Sequence, residues 1–464
     1  MPKNEPLVVQ RAKQADHGTQ QANDGENGAQ SFRISGRRVY TRQFDQLYYK
    51  RLNELKPLVA EQAKRRWGGS KIQWTPKVLN VEGPALTYII GTVFIDSDAK
   101  PSTLDEVERT HWIADPIMTA EGDGNYRTHE SAVVHLEDES GRIRLVGKEM
   151  AKATLASGVV AAVLGAETPG GEFDVAELCF AGMPDAQPPL PQSSDGDEYV
   201  AFVSGLNATI GQPVTLEMQL LAEYILGSLG SEDTQRSCAQ IVQVVVAGDL
   251  MELPVPPLGH TEDPKANDRR ASAKLVAQVD DFLADIAASV PLLVMPGRGD
   301  PTDVSMPQQP INRGMFGQSR QFSGFVSTTN PTCLTVNGVS LLGTSGQNID
   351  DLKHYAVNGE SACQLAAESL RWRHIAPTAP DTLWCYPFTD RDPFILEHSP
   401  HVYFVGNQDA ADTAWAAAES SADAAKSSGA RTRVLTVPVF KNSHKIVLLN
   451  LSTLDCTVVQ IGRK

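Results

Sequence analysis

A stretch rich in proline, serine and aspartate, MPDAQPPLPQSSDGDE at residues 183–198, separates two parts of this chain that follow different patterns. Before it, the apolar segments are short, rich in β-branched residues and divided by turn residues. After it, apolar strand-like runs alternate with amphipathic helical segments. One packed core rarely serves a chain of 464 residues. The sequence therefore predicts two domains, joined by a linker at 186–198.

Five strands are predicted in the first part, and two of them contain glycine in their interior. They lie at residues 86–96, 131–138, 141–147, 158–167 and 171–180. Interior glycine is typical of strands that bend sharply or cross another backbone closely. We therefore predict a small closed β-barrel of the OB type over residues 76–185, with a plain β-sandwich as the structural alternative.

The second part, residues 199–464, contains near-continuous apolar strands such as YVAFVSGL at 199–206 and IVQVVVAGDL at 241–250. Strands that are apolar on both faces belong in a sheet that is covered on both sides. A layered α/β/α domain is therefore predicted, and the whole chain is a two-domain mixture of α+β and α/β classes. One of its strands is predicted at 333–345, and an Ala/Ser-rich segment at 409–430 is predicted to be a loosely held insertion.

The N-terminal region divides into two segments. Residues 1–34 are mostly rich in Gln, Asn, Asp and Gly, which predicts a disordered tail. Residues 35–75 form a predicted helical segment, because Leu47, Leu52, Leu55 and neighbouring apolar residues recur at helical spacing. A stripe this wide is expected to pack on a neighbouring domain or partner.

Charge and cysteine content limit the possible functions. The net charge is −15 and the pI is about 5.2, whereas affinity for nucleic acid comes mainly from Lys and Arg. A single-strand binding module is therefore disfavoured. The six cysteines lie far apart, which predicts reduced, mostly buried thiols in the cytosol or nucleus. No segment reaches the ~20 apolar residues of a membrane span, so no membrane partner is expected.

The segment PLLVMPGRGD at 291–300 resembles the strand and loop that hold metal ions in metallophosphoesterases, where Pro-Gly is followed by Asn-His-Asp. Arg298 and Gly299 occupy the Asn and His positions here, and Asp300 remains. A guanidinium stays protonated and repels a nearby cation. Two other strand ends depart from the pattern in the same way: Ser204 stands where a metal-binding Asp is expected, and Asn407 where a His is expected.

We therefore predict a calcineurin-like phosphoesterase domain without catalytic residues, without metal ligands and without a cofactor. Asp249 and Asp300 are remnants of the ligand set, expected to accept hydrogen bonds from loop amides or to pair with Arg298. One weak Mg²⁺ ion on these two carboxylates is the alternative. His374, which precedes a proline-rich loop, is interpreted as a packed loop histidine and not as a general base.

Several long motifs occur in the second part of the chain: MPQQPINRGMF (306–316), LGTSGQNIDDL (342–352), HIAPTAPDTLWCYPF (374–388) and HVYFVGN (401–407). Together they resemble the small regulatory B subunits of eukaryotic DNA polymerase delta, in the same order from about residue 35 to the C-terminus. The resemblance implies an OB domain packed on an inactive phosphoesterase-like domain. It also implies a nuclear protein that bridges the catalytic subunit's C-terminal metal-binding region to the clamp-binding accessory subunit, and that reaches DNA only through the complex.

Loops freed from catalysis can serve as a rigid contact surface, and prolines lower the entropy lost when such loops bind. We predict that the loops 300–316 and 374–394, with an exposed side of the barrel, contact the catalytic subunit. The predicted partner-binding residues are Met306, Gln308, Met315, Phe316, Trp384, Tyr386 and Phe388. For Phe316 and Phe388, a place in the domain's own core is the alternative. The alternative function for the chain is a divergent metal-dependent phosphodiesterase or nuclease.

Overall fold

The computed structural model describes residues 20–21, 32–69, 72–101, 124–191, 196–253, 266–418 and 429–462. The predicted disordered tail therefore lies mostly outside the described residues. Within it, the two-residue strand β1 (Gln20–Gln21) pairs with a strand of the second part. None of the described helices is both long enough and apolar enough to cross a membrane.

Helix α1 (Asp45–Trp67) lies within the predicted helical segment and packs across the barrel. Most of its buried residues are apolar and recur every three or four positions, so that one side of the helix faces the barrel. This side contacts barrel residues such as Tyr88 and Leu164. Arg51 lies in the same stripe and is fully buried. The prediction that the stripe packs on a neighbouring domain is confirmed.

The first part of the chain folds as a closed barrel. Its strands are β2 (Gln73–Trp74), β3 (Thr87–Asp96), β4 (Val133–Glu137), β5 (Arg142–Val146), β6 (Val160–Glu167) and β7 (Phe173–Phe180). The strand order is β2-β3-β4-β5-β7-β6, and β3 also pairs with β6, which closes the five long strands into a barrel. β5 and β7 are parallel, whereas the other neighbours in the closed barrel are antiparallel. The closed barrel is confirmed, and the β-sandwich alternative is wrong.

The second part contains two six-stranded sheets. The first is built from β8 (Tyr199–Val203), β9 (Ile241–Ala247), β10 (Leu292–Met295), β11 (Phe325–Ser327), β17 (Lys445–Asn450) and β18 (Cys456–Gln460). The second contains β1 with β12 (Thr332–Val336), β13 (Val339–Thr344), β14 (Val402–Gln408), β15 (Thr413–Ala417) and β16 (Arg431–Pro438). The orders are β11-β10-β9-β8-β17-β18 and β1-β12-β13-β14-β16-β15.

The two sheets stack face to face, which corrects the predicted α/β/α layering. Phe202 on β8 and Phe404 on β14 meet between the sheets with ring centroids 4.7 Å apart, inside one apolar cluster drawn from both sheets. Helices cover the outer faces, so the layers are α/β/β/α. The sequence did not distinguish the two arrangements, because a strand buried on both faces is apolar whether a helix or a second sheet covers it.

The predicted strand at 333–345 is in fact two strands, β12 and β13, which form an antiparallel hairpin. Asn337 and Gly338 form its turn, with φ angles of 47° and 83°. Asn-Gly is the residue pair that tolerates two positive φ angles most readily, so the break was present in the sequence as a turn signal.

The helices of the second part are α2 (Leu216–Ile225), α3 (Glu232–Ala239), α4 (Ala266–Ala287), α5 (Gln347–Lys353), α6 (Ala362–Arg371) and α7 (Phe440–Ser443). Short 3₁₀ turns occur at Val78–Asn80, Arg313–Met315 and Ser319–Gln321. α2 and α4 share an apolar cluster with the first sheet. α5 and α6 pack with the second sheet in a cluster that continues into the barrel. The two parts of the chain therefore share one continuous core.

The predicted linker and insertion are partly ordered against the second sheet. The side-chain amide of Gln187 donates to the carbonyls of Pro400 at 2.9 Å and Arg431 at 2.7 Å. The insertion begins with β15, an edge strand that pairs with β16, so this portion is not loosely held. Residues 192–195 and 419–428 lie outside the described part of the chain.

Candidate functional site

The strand ends that carry the predicted metal positions meet at one edge of the sheets. β8, β9 and β10 are parallel neighbours, so their carboxyl ends lie side by side. The end of β14 reaches them from the second sheet, because the Asn407 amide donates to the Ala247 carbonyl at 3.3 Å. The Ser204 hydroxyl accepts from the Asn407 backbone N–H at 2.9 Å and donates to the Val437 carbonyl at 3.1 Å. Ser204 thus links the two sheets.

Asp300 is buried, and its carboxylate is bound by the backbone. It accepts hydrogen bonds from the N–H groups of Leu250 at 3.1 Å, Met251 at 2.9 Å and Gly297 at 2.8 Å. Burial and the neighbouring charge of Asp249 raise the pKa of Asp300, and the three amide donors oppose that rise. The carboxylate joins the loops after β9 and β10, as predicted for a remnant that accepts from loop amides.

Asp249 is held in the same way, in a backbone conformation with φ 53°. Its Oδ1 accepts from the Gly299 N–H at 2.9 Å. Burial raises its pKa, while the Gly299 hydrogen bond and the charge of Arg298 act in the opposite direction. The Arg298 side chain itself is exposed. A Cβ at position 297 would lie 2.4 Å from Asp249 Oδ1, so glycine is required for this close approach.

The end of β14 carries the side-chain amides of Asn407 and Gln408 at the positions where histidines were expected. Asn407 donates its second side-chain hydrogen bond to the Ser345 carbonyl at 2.8 Å. Gln408 donates to the Gly406 carbonyl at 3.0 Å and to Asp350 Oδ1 at 3.2 Å. The Asn407 amide therefore connects β14 to β9 and to the loop after β13, and the Gln408 amide connects β14 to helix α5.

These residues do not fit a pair of divalent cations. Two-metal hydrolysis requires a set of carboxylates and imidazoles that clamps both ions and activates a water. Within the described ranges, no group of three or more His, Cys, Asp and Glu residues could hold a metal ion. The two carboxylates that remain are bound to backbone amides. In the part of the chain that the structure describes, these two carboxylates join the loops after β9 and β10.

Gln308 forms the centre of a buried polar network instead of a partner contact. Its Oε1 accepts from the Asn330 side chain at 2.7 Å and from Gln347 at 2.9 Å, and its Nε2 donates to the Gly297 carbonyl at 3.0 Å. The Ser345 N–H donates to Asn330 Oδ1 at 2.9 Å. The network joins the loops after β10, β11 and β13. Gln308 is 2% exposed, so the prediction that it contacts a partner is corrected.

Three further predicted partner residues lie inside the chain. Met306 is 1% exposed, Phe316 0% and Phe388 6%. Phe316 packs against Phe325 with ring centroids 5.0 Å apart, and Phe388 packs against Tyr386 at 5.0 Å. The alternative interpretation is confirmed for Phe316 and Phe388, and direct partner contact by Met306 is corrected on the same ground.

The remaining three predicted residues reach the surface. Trp384 is 37% exposed, and Tyr386 and Met315 are half-buried. The backbone around Trp384 is fixed, because the Met306 N–H donates to its carbonyl and the Tyr386 N–H donates to the Met306 carbonyl, both at 2.8 Å. The loop therefore presents an exposed aromatic side chain on a rigid backbone.

A second buried network, centred on Arg51, joins the helix to both domains. Arg51 Nε lies 2.7 Å from Asp392 Oδ2, and its other nitrogens donate to the carbonyls of Pro377 and Ala379, each at 2.7 Å. His374 Nε2 lies 2.9 Å from the same carboxylate oxygen. His374 is thus a packed loop histidine, as predicted. The loop 374–388 is tied to helix α1 through this network.

The ionisation of this network follows from burial. Burial and the Arg51 charge lower the pKa of His374 to about 4, and the Asp392 carboxylate opposes them. Arg51 and His374 hold the pKa of Asp392 far below its ordinary value, against the effect of burial. The pairing of Arg51 with Asp392 was not predicted from the sequence. An arginine inside an otherwise apolar helix stripe was the available signal, because a buried charge requires a partner.

Comparison with known proteins defines the class. The family model for the DNA polymerase delta subunit OB-fold domain matches residues 43–178, which span helix α1 and nearly the whole barrel. The family model for the B-type subunits of DNA polymerases alpha and epsilon matches residues 200–413. The chain is thus an accessory protein of a DNA polymerase, with an OB-fold domain and a mixed α/β domain.

Individual relatives narrow the class. The chain is 38% identical to the DNA polymerase delta small subunit of Arabidopsis thaliana, over 92% of this chain and 92% of the relative. It is 33% identical to DNA polymerase delta subunit 2 of Drosophila melanogaster, over 94% of this chain and 97% of the relative. It is 30% identical to the DNA polymerase delta small subunit of Saccharomyces cerevisiae, over 92% of this chain and 90% of the relative. The chain belongs to the family of DNA polymerase delta small subunits, accessory subunits of an enzyme of DNA replication.

Proposed function

We propose that this chain is a non-catalytic scaffold subunit of DNA polymerase delta that binds the catalytic subunit through the loops 300–316 and 374–394. The observation that carries the proposal is the state of those loops. The two remaining carboxylates accept hydrogen bonds from loop amides, and the loop after β10 fixes the backbone of the exposed Trp384 through Met306. A rigid loop loses little entropy on binding, and tryptophan is among the residues that dominate interface energies.

The contact region is called the loop surface below and consists of five side chains on three contacting segments of the chain: Val39, Tyr40, Val304, Trp384 and Tyr386. Val39, Tyr40, Val304 and Trp384 are exposed by 39%, 55%, 61% and 37%. The Tyr40 and Tyr386 rings meet edge to face with centroids 5.4 Å apart. Exposed apolar side chains clustered on a rigid base are typical of a protein interface. Met315 remains a separate predicted contact.

The proposal is tested by measuring association with the catalytic subunit after the double substitution Trp384→Ala and Tyr386→Ala. Loss of central aromatic anchors commonly costs at least 2 kcal/mol, so we expect affinity to fall by roughly 30-fold or more. Trp415→Ala is the matched control, because Trp415 is 40% exposed on β15, outside these loops. Thermal unfolding midpoints of both variants verify that each is folded. Equal association of the two variants contradicts the proposal.

We also propose that the chain bridges the catalytic subunit to the clamp-binding accessory subunit, acts in the nucleus and reaches DNA only through the complex. The net charge of −15 supports the last point. Bridging is tested by mixing the three purified subunits. The catalytic and clamp-binding subunits should co-elute only when this chain is present, and co-elution without it contradicts the bridge.

A further inference from the structure

The segment RISGRRVYTR, residues 33–42, contains four arginines and no acidic residue. This segment is called the arginine strap. It precedes helix α1, and residues 35–42 are exposed throughout. In a chain with net charge −15, a run of this kind is a local concentration of positive charge. None of its residues was among the partner contacts predicted from the sequence.

The strap is held at two points, near its start and at Val39. At its start, the Gln309 side chain accepts from the Ile34 N–H and donates to the Phe32 carbonyl, both at 3.1 Å. Phe32 is buried. Further along, the Val39 N–H donates to the Tyr386 hydroxyl at 3.1 Å. These contacts hold the backbone of the strap against Gln309 and Tyr386, so its arginines lie on the same side of the molecule as Tyr386.

The charges of the strap are only partly neutralised. Arg38 forms an ion pair with Asp303 at 2.5 Å. Among the described residues, Arg37 and Arg42 have no ion-pair partner, and both are exposed. Arg37 and Arg42 therefore flank Tyr40 in the sequence, and the Tyr40 ring contacts Tyr386, which lies two residues after Trp384. Guanidinium groups bind carboxylates in bidentate geometry, and apolar rings contact apolar side chains.

We infer that the loop surface and the arginine strap together bind an acidic segment of the catalytic subunit that also carries apolar side chains. The inference rests on the proposed function and specifies the chemistry of the partner. Carboxylates of the segment pair with Arg37 and Arg42, while its apolar side chains cover Tyr40 and Trp384. Complementary charges at the exposed edge of an interface mainly increase the association rate.

An acidic polypeptide fits this surface better than single-stranded DNA does. Arg37 and Arg42 would neutralise about two phosphates. Each phosphate contact on a single strand changes the slope of the logarithm of affinity against the logarithm of salt concentration by only about 0.7. The strongly acidic remainder of the chain repels a longer polyanion. A short acidic segment, anchored by its apolar side chains, avoids that repulsion.

The test is the double charge reversal Arg37→Glu and Arg42→Glu. The catalytic subunit is immobilised on a sensor surface, and the association rate of each variant is measured at low and at high salt. We expect the association rate at low salt to fall by about 10-fold, with the difference shrinking at high salt as screening increases. The control reverses two arginines elsewhere, Arg65→Glu on α1 and Arg236→Glu on α3. Both are exposed and pair with acidic residues of their own helices.

The outcomes separate the inference from the proposed function. If Trp384→Ala with Tyr386→Ala weakens association while the Arg37/Arg42 reversal behaves like its control, the acidic partner segment is refuted and the docking surface stands. If neither variant differs from its control, both proposals fail. A fluorescent oligo(dT) probe is titrated in parallel. Loss of oligonucleotide binding on reversal, with subunit association unchanged, assigns the strap to nucleic acid and overturns the inference.

Discussion

Substitution of Arg51 by alanine is expected to lower the stability of the whole chain, because Arg51 joins helix α1 to both the barrel, through the Gly158 carbonyl, and the loop 374–394. The guanidinium belongs to helix α1, contacts carbonyls of the loop 374–388 and pairs with Asp392. Its side chain and that of Asp392 are both fully buried. Alanine would leave the carboxylate without its strongest partner and two buried carbonyls without donors.

The magnitude follows from the geometry. Removing one partner of a buried ion pair costs about 3–5 kcal/mol, because the other charge stays buried and uncompensated. The matched control is Arg65→Ala on the same helix, whose ion pair with Glu61 has side chains 52% and 59% exposed. An exposed pair of this kind contributes between about 0 and 1 kcal/mol.

The free energy of unfolding of both variants is measured near neutral pH by denaturation with guanidinium chloride. Unfolding is monitored by far-ultraviolet circular dichroism. We expect Arg51→Ala to reduce the free energy of unfolding by about 3–5 kcal/mol and Arg65→Ala by less than about 1 kcal/mol. A loss below about 1 kcal/mol for Arg51→Ala, equal to the control, would refute the argument that this network joins the helix to the loop.

Two further predictions concern buried ionisable groups. The pKa of His374 is about 4 in the folded chain, below its ordinary value of 6.5. As the pH falls, His374 therefore binds a proton in the unfolded chain before it does so in the folded chain. The free energy of unfolding should for this reason decrease by about 2 kcal/mol from about pH 7 to about pH 5. The variant His374→Gln should lack this part of the pH dependence in denaturation curves, and an unchanged curve contradicts the assignment. Asp300→Asn should lower the free energy of unfolding by about 1–3 kcal/mol, because one oxygen acceptor becomes a donor facing backbone N–H groups. Asp281→Asn, an exposed position on α4, is its control, and equal stability of the two variants contradicts the expectation.

The elements that the sequence predicted are those with a local signal. The five barrel strands carry β-branched residues bounded by turn residues, and helix α1 carries an apolar stripe, so both were predictable. The hairpin at Asn337–Gly338 has a local signal too, the Asn-Gly pair of its turn. The stacking of two sheets had none, because strand composition does not reveal what covers a strand.

The replacement of metal ligands at the candidate site was predictable from the sequence, whereas the exposure of its aromatic residues was not. The replacement of ligands by Ser204, Asn407 and Arg298 is visible in the sequence. Exposed Trp384 and buried Phe388 lie in one aromatic loop. Its backbone pairs with Met306, about eighty residues away, and a contact over that distance leaves no local pattern in the sequence. Likewise, the partner of Arg51 lies 341 positions away.

The most direct test of the central claim, that this edge of the sheets joins loops and does not hydrolyse phosphodiesters, is a hydrolysis rate. The purified chain is incubated with Mn²⁺ and bis(p-nitrophenyl) phosphate, beside the variants Asp249→Asn and Asp300→Asn. We predict the same background rate for all three proteins, with and without the metal. A manganese-dependent rate that disappears in Asp249→Asn would contradict the account.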